Sequence, residues 1–308
     1  LDQFAESGEN FFLAFGLYRP HTPYVAPKKY FDLYNSDKME IPESSDDYLK
    51  TLPGPAAISV RAKKEQNNLD KNLAKVIKEA YYATTSFVDA QVGRVLDKLK
   101  STGLDKNTIV IFTSDHGYHL GEHGHWQKQT LFDNATRIPL IVAGPGVNEN
   151  EKIMDAPVEL VDLYPTLMEV LGMEVPEFVS GKSFAPMLSD SSVRIRNSAL
   201  TELGVSNGSD TKTQGYSIKT DRYRLTQWGE KGILGYELYD HKYDKKELHN
   251  LSSTEDYKKI KDSLILVIDK RIVEARKKPK GLLLQFANTK EWNEPKTIDS
   301  QPKHRTQD

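Results

Sequence analysis

Apolar residues run unbroken over residues 11–16 (FFLAFG) and again over residues 138–143. These are lengths suited to a buried strand rather than a helix. Between them, Leu73, Ile77, Ala80, Thr84, Val88, Val92, Val95 and Leu99 step by three or four, the period of one helix face, until Gly103 stops the pattern. A turn over 103–107 then leads into the β-branched run 108–112, so helix and strand predict half of a crossover unit in a parallel sheet. A second helix is predicted over 163–171, with Asp162 as its cap, Pro165 in the first turn and Gly172 at its end. Residues 28–68, punctuated by Pro42, Pro53, Gly54 and Pro55, read as surface loops with short turns. After about residue 197 the texture changes. Alternating runs at 215–220, 223–228 and 236–240 predict an antiparallel meander, followed by a lysine-rich amphipathic helix over 255–277. The last two dozen residues are polar and are expected to be loosely held.

Composition narrows the function classes. Forty-two basic residues against 44 acidic ones give a net charge of −2, so no global field recruits nucleic acid or a membrane surface. An anionic substrate must therefore be met by a local basic pocket. Mean hydropathy is −0.59, and no apolar run approaches the roughly 20 residues that a bilayer span needs. The 308 residues contain no cysteine, which excludes disulfides, thiolate metal sites and a cysteine nucleophile within them. The chain starts at Leu1 with no signal-like pattern, which is expected of a processed or truncated product.

Chemistry concentrates in one segment. Four of the eight histidines, His116, His119, His123 and His125, fall within ten positions directly after the 108–112 strand. Three glycines among residues 117–124 oppose a helix, so this is not the helical H-E-x-x-H arrangement of a zinc protease. In open α/β sheets, ligands bind beyond the carboxyl ends of strands. Adjacent Asp115 and His116 at such an end offer a hard oxygen and an imidazole nitrogen to a divalent ion. Taken alone, Asp-His-Gly also suits a simple turn, His21 a loop histidine bonded to backbone, and Lys128 a solvated lysine. His21 stands between Pro20 and Pro23, which forbid helix and predict a stiff, extended loop just past a strand end.

The run TSDHGYHLGEHGHWQKQTLFDNATRIPLIVAGPG closely resembles the second signature region of type I sulfatases, members of the alkaline phosphatase superfamily. FFLAFGLYRPHTPY is similar to that family's first histidine loop, VELVDLYPTLMEVLG to its following helix, SGKSFAPML to the next segment and ELYDHKYDKKELHNL to its C-terminal sheet. Together they cover most of residues 11–251 in order. His116 after Asp115, together with GYSIKTDRYRLTQW, most resembles the iduronate-2-sulfatase branch. The resemblance implies an α/β fold: a mixed, mostly parallel sheet sandwiched by helices over residues 1–194, with a small antiparallel subdomain over 195–308. It further implies that Asp115 and His116 hold an active-site calcium, that Lys128 contacts the sulfate and that His21 lies beside it. All four residues are expected to converge in one cleft.

The departure from the family is equally plain. Its nucleophile is a formylglycine made from a Cys-x-Pro-Ser-Arg motif, and an Asp-Asp pair completes its calcium site; neither occurs in these 308 residues. Both belong to the family's N-terminal half, so the chain is expected to be the C-terminal portion of a sulfatase, weak in calcium binding and inactive alone. The implied partners are that N-terminal half and a sulfated saccharide, expected to be a uronic-acid-containing glycan, with no nucleic acid and no membrane. A periplasmic, secreted or lysosomal location follows by the same resemblance. Two alternatives stand beside it: a phosphate or phosphonate ester hydrolase of the same superfamily, and a non-catalytic glycan-binding remnant.

Overall fold

The computed structural model describes residues 1–43, 46–147, 153–206 and 212–277; the polar tail lies outside the described residues. The chain forms two compact units. The first takes Leu1–Ser45, Lys63–Lys128 and Arg137–Val147, and the second takes the described residues of Asp46–Ala62, Gln129–Thr136 and Asn148–Asp308. Helices and sheets mix in an α/β arrangement, as expected.

In the first unit the predicted helix spans Lys71–Ser101, and the Asp70 side chain caps it by accepting from the backbone N–H groups of Asn72 and Leu73 at 2.9 and 3.1 Å. Gly103 (φ 76°) turns the chain out of it. Strand β1 (Val110–Thr113) follows, then the two-residue strands β2 (His119–Leu120) and β3 (Trp126–Gln127), then β4 (Leu140–Ala143). The expected parallel crossover is not what β1 makes: it pairs antiparallel with β4, Val110 opposite Ala143 and Thr113 opposite Leu140. A parallel neighbour needs a crossover connection, and among the described residues β4 is the partner that β1 has. Burial is also one-sided rather than complete, since Phe112 and Ile141 are exposed.

Residues 11–16 correct the expectation of a buried strand. They take no regular structure, and Phe12, Leu13 and Phe15 are exposed, Phe12 at 83%. A strand is completed by its neighbour, and no described strand pairs with this run. The segment that follows turns rather than extends. His21 N–H donates to the Tyr18 carbonyl at 3.1 Å, while Arg19 reaches over the turn to the carbonyls of His21 and Val25. Both X-Pro bonds, Arg19-Pro20 and Thr22-Pro23, are cis.

The second unit is built on the predicted meander, enlarged by one strand. β5 (Ala199–Ser206), β6 (Lys212–Lys219), β7 (Tyr223–Trp228) and β8 (Tyr236–Asp240) pair antiparallel in that order. Successive side chains alternate faces. One face places Tyr216, Ile218, Leu225 and Leu238 against Leu264, Ile268 and Ile272 of the helix Lys258–Ala275. The other places Val205, Trp228 and Tyr239 against Ala56 and Val60. Those two come from the helix Gly54–Val60, within a stretch expected to be surface loop. Pro55 starts that helix instead of breaking it, because the first turn has no use for the missing N–H. At Gly215 a Cβ would stand 2.4 Å from the Trp228 ring, so only glycine lets the indole lie flat on β6.

The helix predicted over 163–171 is found at Leu163–Val170, but Asp162 does not cap it with its side chain. The Asp162 carboxylate instead accepts from the backbone N–H groups of Glu159 and Lys182, at 2.7 and 2.8 Å, and pairs with Arg196. No helix among the described residues is long and apolar enough to cross a membrane.

Candidate active site

The loop leaving β1 carries Asp115 and His116. The His116 Nδ1 lies 2.8 Å from the Gly117 carbonyl, which can only accept, so Nδ1 bears a hydrogen and Nε2 is the nitrogen turned to Asp115. Nε2 lies 3.5 Å from Asp115 Oδ2, and the Asp115 side chain is 83% exposed. Ser114 Oγ closes the loop by donating to the His116 carbonyl at 2.9 Å. The pair thus presents one oxygen and one nitrogen to the same open point. That is the donor chemistry a divalent ion needs, and only part of the coordination that calcium takes.

The rest of the histidine-rich segment folds into a hairpin. His119 pairs with Gln127 and Leu120 with Trp126. Lys128 therefore leaves the hairpin one step beyond the His119–Gln127 pair, opposite Tyr118, and is half-buried there. Gln127 (φ 81°) and His123 (φ 58°) both adopt left-handed backbone at the bends that shape this hairpin. The His119 ring lies 5.7 Å from that of His123 and 5.0 Å from that of His125, and all three are buried. Burial, and then the neighbouring imidazoles, push His119 well below the ordinary imidazole range, so it is neutral at pH 7. The density of histidines thus divides into one residue at the loop and three that form the hairpin's interior.

His21 belongs to the other loop. Its Nδ1 donates to the Thr22 carbonyl at 2.8 Å, its ring packs on Tyr18, and Nε2 is the nitrogen left for other work. Three tyrosines join this loop to the Asp115–His116 loop. Tyr24 OH hydrogen-bonds Tyr118 OH across 94 positions of sequence. Tyr81 of the long helix stacks on Tyr118 at 4.8 Å and meets Tyr24 edge-on at 5.9 Å. Burial raises all three phenols, Tyr81 to about 12, so they remain protonated donors throughout the physiological range. Sequence reading missed these tyrosines. A signal existed in Tyr24 and Tyr118, each within three positions of a singled-out histidine, but nothing local pairs them.

A second cluster of metal-ligand residue types lies in the second unit. Side-chain ligand atoms of Asp133, His241 and Glu247 lie within 4.8 Å of one another. Its centre already holds a cation. Arg224 Nε donates to Glu247 Oε1 and Nη2 to Asp133 Oδ1, each at 2.6 Å, and His241 Nε2 lies 2.7 Å from Glu247 Oε1. Burial would raise the Glu247 carboxyl, but the Arg224 charge and the His241 bond overcome it and hold it at about 2. Nearby Glu237 has no such partner. Burial raises it to about 7 against the opposing bonds from Trp228 Nε1 and Tyr239 OH.

Comparison with known proteins gives the family and the fold. The family model described as Sulfatase matches residues 1–173, and that of N-sulphoglucosamine sulphohydrolase, C-terminal, matches residues 121–278. The chain belongs to the sulfatase family. A sulfatase of Formosa agariphila is 36% identical over 264 residues, covering 84% of this chain and 50% of that protein. Iduronate 2-sulfatase of Mus musculus is 33% identical over 213 residues, covering 57% of this chain and 38% of its own length. Among solved structures, BT1596, a 2-O GAG sulfatase, superposes with a TM-score of 0.66 at 28% identity, over 77% of this chain and 53% of that one. The phosphonate monoester hydrolase SpPMH of Silicibacter pomeroyi does so with a TM-score of 0.76 at 25% identity, over 89% and 58%. The fold is that of alkaline phosphatase-like hydrolases. The chain spans about half the length of the curated relatives it matches.

Proposed function

We propose that the whole protein hydrolyses sulfate esters of a sugar, and that its substrate is a uronic-acid-containing glycan. The observation that carries this reading is the tyrosine link between the His21 and Asp115–His116 loops, with Lys128 leaving the adjoining hairpin. The relatives named iduronate 2-sulfatase and 2-O GAG sulfatase support the sugar, the first name giving a uronate and the second a GAG.

Asp115 Oδ2 and His116 Nε2 are the atoms that would hold a divalent ion, for which we propose calcium. Such an ion, when bound, supplies positive charge against the sulfate oxygens. Lys128 adds a second positive charge, from an ammonium set on a short, half-buried hairpin. His21, when doubly protonated, would give its Nε2 proton to the ester oxygen as the alkoxide departs and be left a neutral imidazole whose Nδ1–H stays on the Thr22 carbonyl. No residue of this chain fits the formylglycine, because there is no cysteine to convert. The attacking group therefore comes from the rest of the protein, and the expected inactivity of this chain alone belongs to the same proposal.

Lys128→Ala in the complete protein tests the assignment. Turnover of a sulfated monosaccharide is expected to fall about 30- to 1000-fold, about 2–4 kcal/mol of transition-state stabilisation, with an unchanged denaturation midpoint. Unchanged turnover would return Lys128 to the solvated surface. The higher TM-score with the phosphonate monoester hydrolase favours a second reading, phosphonate or phosphate ester hydrolysis. Faster turnover of a phosphonate monoester than of any sulfate ester would establish it, and turnover of neither would leave a glycan-binding remnant.

A further inference from the structure

The segment after β8, DHKYDKKELH over residues 240–249, is close to charge-balanced as written. Folding separates the charges. The side chains of Asp240, Asp244 and Glu247 turn inward, 1%, 12% and 1% exposed. Each is engaged. Asp240 accepts from Arg222 Nε and Nη2 at 2.8 and 2.6 Å, Asp244 accepts from the His249 backbone N–H at 2.7 Å, and Glu247 holds Arg224. Lys242, Lys245 and Lys246 are exposed and form no ion pair among the described residues. The loop therefore presents three positive charges that the sequence balance conceals.

An aromatic ring stands among them. Tyr243 is 71% exposed, with Lys242 Nζ 5.0 Å and the Arg222 guanidinium carbon 5.7 Å from its ring centroid. Arg222 is clamped by Asp240 and packs on Tyr223 at 4.8 Å. The His241 backbone N–H bonds the Arg222 carbonyl at 2.8 Å, which fixes the turn before β7 beside the loop after β8. The ring is thus exposed and pre-ordered, with the Lys242 ammonium and the Arg222 guanidinium packed against it. An aromatic face suits the apolar face of a sugar ring, and the ammoniums suit the sulfates or carboxylates around it.

We propose that this loop of the second unit is a surface subsite for an anionic polysaccharide, which lies on Tyr243 while Lys242, Lys245 and Lys246 meet its acidic groups. The inference rests on the sulfated-sugar reading above only for the choice of a glycan as the polyanion. It gives a hydrolase of this kind a hold on a polymer.

In the complete protein, a Lys242→Ser/Lys245→Ser/Lys246→Ser variant and a separate Tyr243→Ala variant are compared with wild type for binding to heparin and to chemically desulfated heparin, by surface plasmon resonance. Melting curves control for folding. The triple variant is expected to bind heparin about tenfold more weakly, the sum of three exposed charge contacts. Wild-type binding should fall with salt and with desulfation, and Tyr243→Ala should weaken binding to both polymers. Heparin affinity unchanged in both folded variants would overturn the subsite. Tighter wild-type binding to single-stranded DNA than to heparin, lost in the same variants, would overturn its assignment to a glycan. Because binding is read without turnover, a wild type inactive on every sulfate ester would remove the function reading and leave the binding result standing.

Discussion

The two carboxylate-and-histidine clusters of this molecule use the same residue types to opposite ends. In the second unit, Asp133, His241 and Glu247 close around Arg224 in the protein interior, and every charge has a fixed protein partner. In the first unit, Asp115 and His116 face outward, with the imidazole oriented by Gly117 and the carboxylate in solvent. A closed cluster with its own cation is a piece of structure. An open one is what we propose as a place for something to bind. Proximity of ligand atoms alone selects the closed cluster, and leaves out the Arg224 guanidinium that already lies between them.

The largest expected effect strikes the closed cluster. Arg224→Met leaves Glu247 and Asp133 buried without a cation, which should cost about 3–5 kcal/mol in unfolding free energy measured by denaturant titration. A loss below about 1 kcal/mol would show that the guanidinium is not what balances these acids. Next comes the pH response of the same unit. Glu237, at about 7 in the native state against 4.5 as its ordinary value, binds its proton more tightly when folded, so its contribution to stability is lost as pH rises from 4.5 to 7. Glu247, at about 2, works in reverse, and its contribution is lost as pH falls from 4.5 to 2. Glu237→Gln should therefore flatten the decline between pH 5 and pH 7 by about 2 kcal/mol, read from unfolding curves across that range. An unaltered slope would mean that Glu237 is ionised throughout. The smallest structural effect falls on the open cluster. Asp115→Asn in the complete protein should change unfolding free energy by less than about 0.5 kcal/mol while abolishing calcium binding by calorimetry. Calcium affinity that survives the substitution would separate Asp115 from any metal.

Legibility followed the range of the interactions. The helix Lys71–Ser101 and strands β6–β8 were readable because their periodicity is local and both have partners within the chain. Residues 11–16 had the same apolar strength, yet pairing is a property of the neighbour and none is described here. β5 escaped notice because ALTELGVS mixes glycine and glutamate into its alternation and gains its identity by pairing with β6 over its whole length. At the site, Asp115, His116 and Lys128 could be picked out by type and position. The link that joins His21's loop to theirs runs through Tyr24, Tyr81 and Tyr118, which no spacing rule connects. The inward turn of Asp240, Asp244 and Glu247 was likewise invisible, since a sequence counts charges and only a fold aims them.

The exposed run FFLAFG has a consequence for how this chain behaves in a test tube. Six residues rich in aromatic and branched side chains, without charge or proline and with unpaired backbone, are the material from which intermolecular strands nucleate. Produced by itself, the chain is expected to associate through this segment in proportion to concentration, and to depend on chaperones while it accumulates.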